Sequence, residues 1–218
     1  MARLRFIGLW TATSIAGETS AVIAASFLAA TTFVAVGLVV LLEALVLGVA
    51  QARLLGGVRR GIGRGWLAAT IVGVGIGRFV QFATTMTNGN SIARGWPLAL
   101  HYLSGVELGI LVGACMAVPQ AFVLMRDVGH VGWWIAARAG AWAIGVPLLM
   151  FGGETLSRWP NADPGAVVLA ALGLFASVAA IVGAIEGVVM ERLLNGQRSR
   201  TTVTNPSETT QGTVRPSY

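Results

Sequence analysis

The residues most able to do chemistry in this chain are ionisable groups set in long apolar runs. Glu18, Glu43 and Arg78 each interrupt a stretch that is otherwise hydrophobic. Such groups are costly in a bilayer and either pair with one another or mark a path for an ion or ligand. At about 1.5 Å per helical residue, all three fall roughly 15–20 Å from the same membrane face, near the midplane. Arg78 can then neutralise one carboxylate, leaving the other to hold a proton or pair with a ligand. His101, Ser104 and Glu107 follow at helical spacing and predict a second polar stripe nearer the outer leaflet. His101 is also a candidate ligand for a haem or pigment metal. Glu154 has Arg158 four residues on, and Glu186 and Glu191 lie within reach of Arg192 and solvent. Arg138 is placed to snorkel to the same interface.

These groups need helices to hold them. The chain has 218 residues, 55% hydrophobic and 11% charged, with a mean hydropathy of +0.75. A soluble domain cannot hide that much apolar surface. Apolar runs at about 7–30, 33–55, 65–87, 98–125, 132–152 and 165–192 are each long enough to span a bilayer. The expected fold is therefore all-α, a polytopic bundle of six transmembrane helices over residues 1–194. The basic start of the chain suits a signal peptide, but Glu18 interrupts the apolar core one would need, so the segment is expected to stay as the first helix. Residues 195–218 are polar, rich in Thr and Ser and without apolar periodicity, which predicts a disordered cytoplasmic tail.

Arginine placement orients the bundle. Arg3 and Arg5, Arg53, Arg59, Arg60 and Arg64, Arg126, and Arg192, Arg198, Arg200 and Arg215 all fall on one side of a six-span chain, against Arg94 and Arg158 on the other. Basic residues collect in short cytoplasmic loops, so both termini are expected to be cytoplasmic, in a bacterial inner membrane. The formal charge of +6 is thus a topology signal and does not imply a nucleic-acid partner. The expected partners are the lipid bilayer and other membrane-protein chains or further copies of this one.

The chain also resembles itself. GVAQARLL at 48–55, followed by GWLAATIVGVGIG at 65–77, matches AVPQAFVL at 117–124, followed by WWIAARAGAWAIG at 133–145. GVVMERLL at 187–194 is a weaker third copy. The six spans therefore read as three tandem parallel hairpin repeats. The Gly-rich helix, Gln-containing turn and Gly-Trp-Trp start are similar to a loose group of uncharacterised multi-span bacterial membrane proteins, over residues 44–77 and 113–145. The chain departs from that group at Ala52 and Ala121, where Trp is usual. The resemblance implies the architecture and brings no activity with it.

GIGRG at 61–65 and GVGIG at 73–77 follow no strand, so they are expected to let helices approach closely, not to bind phosphate. Cys115 is alone in an apolar run and predicts a core residue. Pro119 and Pro147 fall inside the fourth and fifth spans. No HExxH, GxSxG or paired-aspartate motif appears, which argues against an intramembrane enzyme. The sequence leans to small-molecule or ion transport or ligand binding through the midplane polar site. The alternative is a non-catalytic accessory or scaffold subunit of a larger membrane complex, contacting lipid or pigment.

Overall fold

The structure, a computed structural model, describes residues 3–28, 32–58, 61–93, 97–159 and 163–196, with the backbone alone for 85–93. Arg59, Arg60, Arg94 and the tail from 197 onward lie outside the described residues. The chain forms six helices: α1 (Arg3–Leu28), α2 (Phe33–Val58), α3 (Ile62–Ala93), α4 (Leu98–Leu124), α5 (Gly132–Ser157) and α6 (Pro164–Asn195). Helices α2 to α6 are long and apolar enough to cross a membrane. The first helix is as long as α2 but more polar, with Arg3, Arg5, Glu18 and several hydroxyl residues.

The helix ends follow local chemistry. The Thr32 hydroxyl accepts the Ala35 N–H at 3.2 Å before α2. The Asp163 carboxylate accepts the Ala166 N–H at 3.0 Å, with Pro164 in the first turn of α6 where its missing N–H costs nothing. Two boundaries differ from the sequence expectation by more than four residues. Helix α3 runs on to Ala93, through the polar stretch expected to be a turn from 87, and α5 runs to Ser157 instead of 152. Polar residues end an apolar run without ending a helix, and a single glycine such as Gly89 costs only about 1 kcal/mol. Hydroxyls within the helices satisfy themselves, as when Thr13 donates to the Trp10 carbonyl at 2.7 Å and Thr84 to that of Val80 at 2.8 Å.

Each helix packs against its neighbours in the chain, and α6 closes onto α1, so the six form a ring with, among the described residues, no backbone contact across it. Glycines make every seam close. Gly17 faces Leu47 between α1 and α2, Gly48 faces Thr70 between α2 and α3, and Gly73 faces the Met116 carbonyl between α3 and α4. Gly145 faces Val178 between α5 and α6, and Gly183 faces Ser14 where the ring closes. The tightest seam joins α4 to α5, where Gly105, Gly109 and Gly113 lie one turn apart. A Cβ on Gly109 would stand 2.1 Å from the Trp142 carbonyl oxygen, and one on Gly113 2.5 Å from that of Arg138.

Outside the ring the surface is apolar, with Phe27, Phe33, Phe79, Phe122, Phe151 and Leu169 all exposed, as lipid contact requires. Inside, packing is uneven along the axis. At the end where α1 begins and α6 finishes, here the terminal end, Phe6, Trp10, Leu55, Ile62, Trp66, Leu124, Trp134 and Leu194 form one closed core. Toward the opposite end, among the described residues, none is buried beyond Glu18 in α1, before Glu43 in α2, beyond Gly77 in α3, before Gly105 in α4, beyond Val146 in α5 or before Val178 in α6. The ring is thus plugged at one end and loosely packed at the other.

Substituting Gly109 by Leu forces α4 and α5 apart, and overpacking of this kind costs roughly 1–3 kcal/mol. Gly109→Leu is expected to lower the unfolding temperature in detergent, followed by size-exclusion chromatography after heating. Gly75→Ala, where an added Cβ meets nothing within 4 Å, is expected to leave it unchanged.

Candidate functional site

The interior polar groups are stacked in layers from the terminal end inward. The first is a triangle of indoles from the odd-numbered helices. Trp10 lies 5.9 Å from both Trp66 and Trp134, and those two are 5.6 Å apart. Buried indole N–H groups need acceptors. The Gln51 carbonyl of α2 accepts from Trp66 at 3.0 Å, and that of Gln120 in α4 accepts from Trp134 at 3.2 Å. In α6 the residue four before Leu194, matching Gln51 before Leu55 and Gln120 before Leu124, is Met190. Accordingly the Trp10 N–H lacks a well-aligned partner, and Glu186, one turn deeper in α6, stands beside it.

One turn beyond each tryptophan come Ser14, Thr70 and Arg138, all buried. Gln120 ties this layer together. Its amide donates to the Thr70 hydroxyl at 2.9 Å, and its carbonyl accepts from Arg138 as well as from Trp134. Arg138 Nε also stands 3.2 Å from Glu186 Oε1, an ion pair whose alignment falls short of a hydrogen bond, with both side chains almost wholly buried.

The next layer holds the sequence-predicted trio, and the helices bring all three together. Arg78 Nε and Nη2 grip Glu43 from two sides, with contacts of 3.0 Å to Oε2 and 2.6 Å to Oε1. Nη2 also donates to Glu18 Oε2 at 2.7 Å, and Nη1 to the Gln81 carbonyl oxygen at 2.9 Å. The guanidinium sits 5.3 Å from the centre of the Trp142 ring. Such a fork-shaped cation is suited to bridging two carboxylates, and loss of any partner would leave an uncompensated buried charge. Glu43 is 2% exposed, while Arg78 and Glu18 retain 14% and 11%, so the trio lies where the closed core gives way to the loose end of the ring.

Between the two charged layers is a cavity of about 20 Å³, enough for a water molecule. Ser14, Glu18, Arg138, Trp142 and Glu186 supply its polar lining. The layers also interact electrostatically, Glu18 with Glu186 and Glu43 with Arg138.

The second predicted stripe does not form. His101 Nε2 pairs with Glu154 Oε1 of α5 at 2.7 Å, and Tyr102 donates to the other oxygen of Glu154 at 3.2 Å. Ser104 turns back to the His101 carbonyl, and Glu107 is exposed on the outer face of α4. The reason is angular: six residues from His101 to Glu107 make about 1.7 turns, which sends the two side chains to different faces. Because Glu154 occupies His101 Nε2, haem or pigment ligation through that nitrogen would have to break the pair. Among the described residues no group of three His, Cys, Asp or Glu is arranged to hold a metal ion. Glu154 therefore turns to His101 and Tyr102, where the sequence suggested Arg158. Glu191 pairs with Arg3 at 3.2 Å and with Asn195, where Arg192 was expected.

Sequence reasoning passed over Arg138 and Glu186 as interfacial groups, yet both are interior. A signal was present: Arg138 lies four residues after Trp134, as Thr70 follows Trp66, on the face that also carries the tryptophan. The chain matches no protein-family model, no curated protein and no solved structure.

The two glutamines differ in what depends on them. Gln51→Leu strands the Trp66 N–H and is expected to cost about 1 kcal/mol, while Gln120→Leu strands Trp134 and a contact of the Arg138 cation and is expected to cost about 3 kcal/mol. Parallel thermal unfolding of the two variants in detergent, read by tryptophan emission, checks the order.

Proposed function

We propose that this chain is a six-span membrane protein that binds a proton or small monovalent cation in its interior and moves it across the bilayer. The observation that carries this reading is the sharing of the one Arg78 guanidinium by Glu18 and Glu43. Two carboxylates on one cation leave an excess negative charge in a medium that tolerates none, so the trio favours a bound positive ion. Glu43 engages the guanidinium from two sides and Glu18 through one oxygen, which makes Glu18 the freer carboxylate. The loose end supplies an approach to Glu18, and the tryptophan triangle a barrier on the far side. The water-sized cavity suits an ion better than an organic solute.

In this reading the helices form three tandem hairpins, α1–α2, α3–α4 and α5–α6, entering the membrane from the same side. The recurrence of tryptophan on odd helices and of buried Leu55, Leu124 and Leu194 on even ones supports that arrangement. The arginine distribution supports a cytoplasmic location for the terminal end, with its tryptophan plug, in a bacterial inner membrane. A second reading is favoured by one observation. Glu107 is exposed on α4 between Leu103 and Leu111, without a partner among the described residues, as it would be if a neighbouring subunit of a larger complex covered it.

Purified protein in sealed vesicles with an internal pH-sensitive dye is expected to dissipate an imposed proton or sodium gradient. Glu18→Gln and Arg78→Ala should return the rate to that of empty vesicles, whereas Glu107→Gln should not. Gradients that decay no faster than in empty vesicles, for every ion tried, would sink the transport reading. A native mass showing stoichiometric partner chains would favour the subunit. For orientation, Gly61→Cys in a Cys115→Ser background is expected to react with an impermeant maleimide only after inverting the membrane; labelling of intact cells reverses the topology.

A further inference from the structure

Glu18 and Glu186 both line the small cavity, and several polar atoms of its lining residues share one property. Arg138 Nε, Trp142 Nε1 and Glu186 Oε1 are all buried without a hydrogen-bond partner, and all three residues line it with Ser14 and Glu18. Arg138 Nε and Glu186 Oε1 stand 3.2 Å apart as an unaligned ion pair, and a water in the adjoining space would complete the hydrogen bonding of these two and of Trp142 Nε1, since such waters make two to four hydrogen bonds. The charge count points further. Among the described residues of the two charged layers, Glu18, Glu43 and Glu186 face Arg78 and Arg138, one more carboxylate than guanidinium. Glu18 and Glu186 interact across the space between them, and Glu43 feels Arg138 as well as Arg78.

We propose that these five side chains form a single protonic unit that holds one proton, shared between Glu18 and Glu186 through a water in the cavity. The proposal deepens the ion-binding reading by naming the ion and a second station for it, and it rests on that reading only for the step across the membrane. The groups that face Glu186 are consistent with the role. From α1 they are Trp10, Ser14 and Glu18, and from α5 they are Arg138 and Trp142. When the proton sits on Glu18, Glu186 is the carboxylate paired with Arg138. When it crosses, Glu18 keeps its contact with Arg78 and Glu186 becomes the neutral acid beside Arg138. The first arrangement gives each guanidinium an ionised carboxylate, whereas the second leaves Arg138 beside a neutral acid, so the proton rests mainly on Glu18 and visits Glu186. The proton leaves the O–H of one carboxyl for the bridging water, which passes one of its own to the other carboxylate; atoms and charge balance without a further reactant. The absence of glutamine at Met190 fits this role, since it leaves the third position of the tryptophan layer open to Glu186.

The experiment is infrared spectroscopy of the purified full chain in sodium-free detergent buffer, reading the C=O stretch of a protonated carboxyl and its shift in D₂O. Wild type is expected to show one such band beyond any from the exposed Glu107, which Glu107→Gln identifies. Glu18→Gln and Glu186→Gln are each expected to abolish it, because either change equalises carboxylates and guanidiniums. If Arg138 and Glu186 are instead a closed pair, Glu186→Gln leaves the band of Glu18 intact, and that result overturns the proposal, as does a wild-type spectrum without the band. Should Glu186→Gln fail to fold, Glu186→Asp keeps the charge count; a shared proton moves the band's position, and an unmoved band overturns the sharing. A band that behaves as expected in a protein that dissipates no gradient would separate the two conclusions, keeping the protonic unit and discarding transport.

Discussion

The structure depends on one guanidinium. Arg78 is carried deep between helices and would be intolerable there alone, since an unpaired charge in a low-dielectric interior costs several kcal/mol. Its two carboxylates come from α1 and α2, and its amide partner from its own helix, so the ion cluster ties three helices at one depth. That tie draws the relatively polar α1 into the ring. Without the contact to Arg78, Glu18 would oppose burial of a helix that already carries more hydroxyl groups than its neighbours. With it, the same residue fixes the rotation of α1, and Gly183 can then receive Ser14 at the closing seam.

Close helix packing and buried charge support each other. In lipid there is little hydrophobic drive to press one helix onto another, so association relies on backbone approach and polar contacts. The glycines at all six seams supply the first, and the Arg78 and Gln120 networks supply the second. They act at neighbouring depths. Gly73 and Gly77 flank Val74 on the way to Arg78, while Gly109 and Gly113 set α4 against the backbone of α5 near Arg138 and Trp142. A bulky residue at these glycines would therefore shift the cations as well as the helices.

Much of the fold was legible because the bilayer leaves few choices. Six apolar runs gave six helices, and only the ends of α3 and α5 differed appreciably, where polar residues end a hydrophobic signal but not a backbone hydrogen-bond pattern. The convergence of Glu18, Glu43 and Arg78 could be read from depth alone. Depth says nothing about rotation, and that is where the reading of His101, Ser104 and Glu107 went astray: His101 found Glu154 on the adjacent helix. The same gap hid Arg138 and Glu186. Their nearness to the helix ends suggested snorkelling for Arg138 and satisfaction by Arg192 and solvent for Glu186, whereas their register with Trp134 and with Met190 set them on the inner face.

The register of the tryptophan layer bears on why the interior charge is not distributed evenly around the ring. Two of the three indoles are satisfied by neutral glutamines, and those glutamines close their seams without introducing charge. The third faces α6, where a methionine stands in the glutamine's position and the nearest acceptor is the carboxylate of Glu186. A carboxylate there requires a cation, and Arg138 is the cation one turn past the adjacent tryptophan. Both charges of the layer next to the tryptophans thus follow from one departure, Met190 in α6, from the glutamines of α2 and α4. The departure leaves the Trp10 N–H less well satisfied than its counterparts, a cost to packing that a purely structural clamp could have avoided with a third glutamine.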